Sequence, residues 1–174
     1  MPAREVARDI VRCCRSLREA GLIAGADGNV SVRLGPDRVL VTPHGLLKSE
    51  LRPDDLVEVN LAGSRRKGSR QATSELDLHL RVYRRRKDCG AVVHAHPPTA
   101  TAFAVAGEGL PGDVLPEIVL LMGEVPCVQS LEHAARILLA ARALGRVNRP
   151  SREQIDVLAR MRGTSPHGQT DFGY

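Results

Sequence analysis

The chain has no tryptophan, and only two phenylalanines and two tyrosines among its 174 residues. Bases therefore have almost nothing to stack on. The two basic runs, Arg65-Arg66-Lys67 with Arg70 and Arg84-Arg85-Arg86-Lys87, read as a solvated loop and helix face, and nucleic acid is not an expected partner. The same scarcity requires an aliphatic core of Leu, Val, Ile and Ala. Disulfide patterning is missing too. Of the four cysteines, Cys13 and Cys14 are neighbours that cannot form an ordinary bridge, Cys89 and Cys127 stand apart, and no CxxC occurs. A disulfide scaffold is excluded, and reduced, intracellular thiols are expected. The N-terminus has no signal-peptide core, and no apolar run approaches roughly 18 residues. A cytoplasmic protein without membrane contact is expected.

What is present is globular in composition, with 43% hydrophobic and 26% charged residues. The length suits one domain with a real core, expected over 1–163, with a disordered Gly/Ser/Pro-rich tail at 164–174. The net charge of +5 can draw in phosphorylated metabolites. Periodicity predicts an amphipathic helix over 3–20, followed by a β-hairpin in which Val30, Val32 and Leu34 turn through Gly35-Pro36-Asp37 into Val39–Thr42. A strand is expected at 56–60 and a polar loop at 63–72. A helix from Ser74 to about Lys87 should open with a Ser74/Asp77 capping box. A buried strand at 91–94, a short helix near 99–106, strands at 117–121 and 125–128, and helices at 131–145 and 151–162 complete the pattern. Strands and helices mixed in one unit indicate α/β or α+β.

Three constellations carry chemistry. His94 and His96 are two residues apart at the end of a β-branched run, so on a strand both imidazoles project from one face. With an acid nearby at Glu75, they are the parts of a divalent-metal site, zinc foremost; otherwise His96, followed by two prolines, is a solvent-facing loop residue. Glu75, at the first turn of a helix, either favours the helix dipole or, beside a metal, moves a proton to and from carbon. Gly28-Asn29 allows backbone amides to approach an anion, and Thr73-Ser74 adds hydroxyls at a helix start. Separately these are a turn and an N-cap, whereas together they suggest an anionic group on the substrate.

The stretches Gly28-Asn29-Val30-Ser31-Val32-Arg33, Val41-Thr42-Pro43-His44-Gly45, Thr73-Ser74-Glu75 and Val92-Val93-His94-Ala95-His96-Pro97, in this order and spacing, resemble the class II aldolase/adducin family over roughly residues 5–130. The resemblance implies a three-layer α/β/α fold around a central, mostly antiparallel sheet. It implies a zinc-dependent aldehyde-lyase that cleaves or forms a C–C bond in a ketose, expected to be phosphorylated, through a metal-stabilised enediolate. His94 and His96 would ligate Zn2+ and Glu75 would be the catalytic acid/base. Gly28, Asn29, His44, Gly45, Thr73 and Ser74 would bind the substrate phosphate. His44 stands where phosphate-binding relatives usually carry Ser or Thr. Epimerase or dehydratase chemistry, and a non-catalytic adducin-like interaction module, belong to the same family. A homo-oligomer, typically a tetramer, is also implied.

One departure is large. After Pro126-Cys127-Val128-Gln129-Ser130, relatives continue through a helix and strand to a third zinc histidine. Here Leu131-Glu132-His133-Ala134-Ala135, which resembles a later helix, follows at once. The resemblance, taken with ordinary element lengths, implies an internal deletion of roughly 40–50 residues after about residue 130. His133, in a packing helix, and His167, in the tail, are the candidates to replace the lost ligand.

Overall fold

The computed structural model describes residues 2–109 and 128–163, and the chain divides into two compact units, residues 1–96 and 97–174. The first unit opens with α1 (Ala3–Glu19), which buries Val6, Ala7, Ile10, Val11, Cys14 and Leu17 at helical spacing and ends ahead of Gly21. Burial pushes the Cys14 thiol up to about 12, so it behaves as a small apolar group. The strands β1 (Asn29–Gly35), β2 (Arg38–Val41), β3 (Val57–Val59), β4 (Arg65–Lys67) and β5 (Ala91–His94) form one antiparallel sheet in the order β4-β3-β2-β1-β5. The expected hairpin is there, with Gly35 paired to Arg38 across Pro36-Asp37.

Between β4 and β5, α2 (Leu76–Arg85) packs on the sheet. Val39, Val41, Val57, Val59, Leu80 and Tyr83 make a core cluster between sheet and helix, aliphatic but for one tyrosine. Each fully buried Val or Leu stabilises by roughly 1.5–3 kcal/mol. Helices on an antiparallel sheet make this an α/β fold.

Three local expectations are corrected. Arg65–Lys67, expected in a loop, is an edge strand whose side chains are all exposed. Backbone pairing to β3 needs no apolar face there, and charged residues suit an edge. The Ser74/Asp77 capping box does not form. Glu75 holds the N-cap position without a side-chain cap bond, and Thr73 Oγ1 accepts the Glu75 N–H at 3.4 Å. The strand β5 is not buried. It ends the sheet order among the described residues and alternates between exposed and half-buried.

The second unit contains α3 (Pro98–Val105), α4 (Val128–Ala143) and α5 (Arg152–Gly163). Phe103, Ala135 and Leu138 form its core cluster. Buried Glu132 on α4 accepts the N–H groups of Thr99 (3.0 Å) and Ala100 (3.0 Å), donors that the start of α3 leaves without helical partners, and pairs with Arg136 at 2.8 Å. The strand expected at 117–121 and the tail at 164–174 lie outside the described residues, as does 125–128 apart from Val128, which begins α4. No described helix is long and apolar enough to cross a membrane.

Candidate functional site

The site lies wholly within the first unit, where the N-terminal end of β1, the C-terminal end of β5 and the start of α2 meet. Asn29 pairs with His94 across the β1–β5 ladder. His96 follows β5, and its N–H donates to Leu22 O at 3.2 Å. Two loops are tied beside them: Thr73 N–H donates to Thr42 O (3.1 Å), His44 N–H donates to Gln71 O (3.0 Å), and Pro43 bridges Ala72. Gly28 has a φ of +72°, and a Cβ there would meet Ile23 Cγ2 at 2.6 Å and His94 O at 3.0 Å. Glycine is therefore required by conformation and by the closeness of the β5 backbone.

Glu75, His94 and His96 bring one ligand atom each to within 4.8 Å of one another. The two imidazole rings are tilted at 55° with centroids 4.8 Å apart, as expected from same-face spacing. His94 Nδ1 lies 2.7 Å from Glu75 Oε2, and the Asn29 amide donates to the same oxygen. Burial is the largest influence on the Glu75 carboxyl and works upward. The hydrogen bonds from Asn29 and His94 and the pull of His94 and His96 outweigh it and hold Glu75 below the usual glutamate range. Two imidazoles and one carboxylate fit a catalytic zinc centre, which takes three protein ligands and keeps a position open. The cluster forms without a third histidine, and His133 is an exposed residue of α4.

A polar cleft of about 330 Å³ adjoins the cluster. All six residues expected to hold phosphate (Gly28, Asn29, His44, Gly45, Thr73 and Ser74) line it, with Glu75 and His96. Lys48 lines it as well, and the sequence carries no signal for that: a lone lysine after Leu46-Leu47. Its Nζ donates to Ala26 O (2.8 Å) and Leu46 O (2.9 Å), which pins the two loops together, and burial lowers its pKa. His79 and Tyr83 lie in no motif, and Ser31 lies in one only as a strand residue. They continue the hydrogen bonding inward from Asn29. The signal that could have found them is spacing, since Glu75, His79 and Tyr83 fall at i, i+4 and i+8 on one face of α2.

A family model described as the class II aldolase and adducin N-terminal domain matches residues 8–159. The chain belongs to this family. A 5-methylthioribulose-1-phosphate/5-deoxyribulose-1-phosphate aldolase from Rhodospirillum rubrum is 39% identical over 113 residues, 64% of this chain and 50% of the relative. An L-fuculose phosphate aldolase from Methanocaldococcus jannaschii is 38% identical over 94 residues, 54% of this chain and 50% of the relative. The chain thus spans about half the length of the curated relatives it matches. An aldolase II superfamily protein from Pseudomonas syringae has the same fold, with a TM-score of 0.80 over 97% of this chain and 88% of that one, at 18% identity.

Proposed function

We propose that the chain is a zinc-dependent aldolase-type lyase that cleaves a phosphorylated ketose. One observation carries the reading: the Glu75, His94 and His96 donors converge beside a cleft lined by the donors of an anion cradle. His94 and His96, with Glu75 in reach, would hold the ion, and zinc bound there supplies Lewis acidity toward a carbonyl. Gly28, Asn29, His44, Gly45, Thr73 and Ser74 hold the phosphate and fix the carbon skeleton relative to Glu75. In cleavage the Glu75 carboxylate takes the hydroxyl proton from the carbon that becomes the aldehyde, and the O–H electron pair forms the new C=O. The electron pair of the broken C–C bond falls to the fragment that carries the carbonyl, and Glu75 returns the proton to that fragment's carbon. The other fragment leaves as an aldehyde. In synthesis Glu75 removes that proton, a task suited to a carboxylate held ionised. Homo-oligomeric assembly is part of the proposal on family grounds, with light scattering as its check.

The test pairs zinc content by elemental analysis with aldehyde release from 5-methylthioribulose 1-phosphate, 5-deoxyribulose 1-phosphate and L-fuculose 1-phosphate. About one zinc per chain and turnover of at least one ketose phosphate are expected. Glu75→Gln, assayed with its zinc content measured, should lose about 10²–10⁴-fold in kcat per zinc-loaded chain. Unchanged turnover in that variant, or inversion at a carbon without aldehyde release, would overturn the lyase reading. The second result would point to epimerase chemistry.

A further inference from the structure

Behind Glu75 runs a buried chain of polar groups, of which the chemistry above uses only Asn29. The Asn29 amide donates to Glu75 Oε2, and Asn29 Oδ1 meets His79 Nε2. His79 Nδ1 lies 2.6 Å from Ser31 Oγ, which lies 2.9 Å from the Tyr83 hydroxyl. His79 and Ser31 are fully buried, and Tyr83 nearly so. The chain arises from two matched periodicities. Asn29, Ser31 and Arg33 alternate on one face of β1, and Glu75, His79 and Tyr83 recur every four residues along α2. Two strand residues advance about 6.7 Å and four helix residues about 6.0 Å, so the two rows stay in step. Arg33 closes the far end, its guanidinium 4.8 Å over the Tyr83 ring and donating to Tyr83 O at 2.6 Å.

The proton positions in this chain follow from one end. An ionised carboxylate only accepts, so the Asn29 NH2 must face Glu75 and Asn29 Oδ1 must face inward. A carbonyl oxygen only accepts, so His79 Nε2 carries the hydrogen and Nδ1 is bare. Ser31 then donates to Nδ1 and accepts from Tyr83. Burial holds His79 down to about 4, which keeps the ring neutral with one donor and one acceptor. No link can reverse without breaking its neighbour.

We propose that His79, oriented by Ser31 and Tyr83, is a positioning residue that locks the Asn29 amide and so aims the Glu75 carboxylate. The proposal rests on Glu75 moving the substrate proton, but the lock itself has a readout that needs no turnover. One hydrogen of the Asn29 NH2 goes to Glu75, which leaves the other for the cleft. The relay therefore orients a carboxylate and an anion-cradle donor together.

The experiment compares wild type, His79→Gln and His79→Leu, with Ser31→Ala as the milder cut should the leucine variant not fold. Glutamine retains a donor for Asn29 and an acceptor for Ser31, whereas leucine removes both. In His79→Leu, kcat should fall about 10–100-fold with KM little changed, and His79→Gln should recover most of the loss. A purely structural role would instead track thermal stability and leave kcat per folded molecule intact, which would overturn the proposal. Nitrogen-15 NMR of the wild type should show the Nε2-protonated neutral tautomer of His79 from pH 8 to pH 6. The Asn29 side-chain amide signals should move toward free-amide positions in the leucine or Ser31→Ala variant and stay in place in the glutamine variant. The other His79 tautomer, or Asn29 signals indifferent to these changes, would overturn the lock. An absence of turnover in the wild type would overturn only the lyase reading, because the NMR result stands apart from it.

Discussion

A neutral, buried histidine makes stability depend on pH, and the size of the effect follows from its surroundings. His79 sits with a pKa of about 4 against an ordinary value of 6.5, mainly because burial penalises the imidazolium, with the charge of His94 adding to the effect. The unfolded chain therefore binds the extra proton first as pH falls. The stabilising contribution is fully present above the unfolded value and is lost progressively between pH 6.5 and pH 4. At pH 5 the unfolded histidine is almost wholly protonated and the folded one almost wholly neutral, so unfolding takes up nearly one proton. Integrated from pH 8 to pH 5, this one group removes about 2 kcal/mol. His79→Gln cannot titrate and should lose that component. The assay is urea unfolding followed by far-UV circular dichroism at pH 8 and pH 5, on chelator-treated wild type and His79→Gln so that metal affinity is outside the balance. The wild-type midpoint should drop about 1 M further than the variant's between the two pH values. Parallel declines would mean that His79 titrates normally when folded, and would refute both the neutral ring and the proton order deduced from it.

Two further outcomes follow from close contacts. Gly28→Ala forces a methyl against Ile23 and the His94 carbonyl at a left-handed φ. It should cost about 1–3 kcal/mol in urea unfolding and weaken zinc binding in a chelator competition, because relief of the clash moves β5 where it carries His94. Glu132→Ala strands the Thr99 and Ala100 N–H groups at the start of α3. It should cost about 1–2 kcal/mol by thermal melting, with Glu132→Gln losing less because one acceptor oxygen remains.

The parts legible in the sequence are those set by local chemistry. The β1–β2 hairpin was readable because alternating residues flank a two-residue turn, and α1 because its apolar stripe is unbroken from Val6 to Leu17. The histidine pair was readable for the same reason, since strand geometry alone aims His94 and His96 together. What depended on neighbours was not readable. Ala91-Val92-Val93 reads as a buried strand, yet β5 lies at the sheet's edge among the described residues, because strand order is decided by pairing between distant segments. Arg65–Lys67 looks like a loop because an edge strand needs no apolar face.

The site divides along the same line. Glu75, the glycine loop and the two hydroxyls announce themselves as chemistry-bearing types. Their supporting partners do not, because a histidine, a serine and a tyrosine inside amphipathic elements look like ordinary members of those elements. They become legible only when two periods are laid side by side: every second residue from Asn29 against every fourth from Glu75. Fixing a catalytic carboxylate needs partners whose donors and acceptors are themselves committed. A strand and a helix of matched advance provide such partners in a row, so the hydrogen-bonded support of Glu75 extends two residue pairs beyond the groups that touch the cleft.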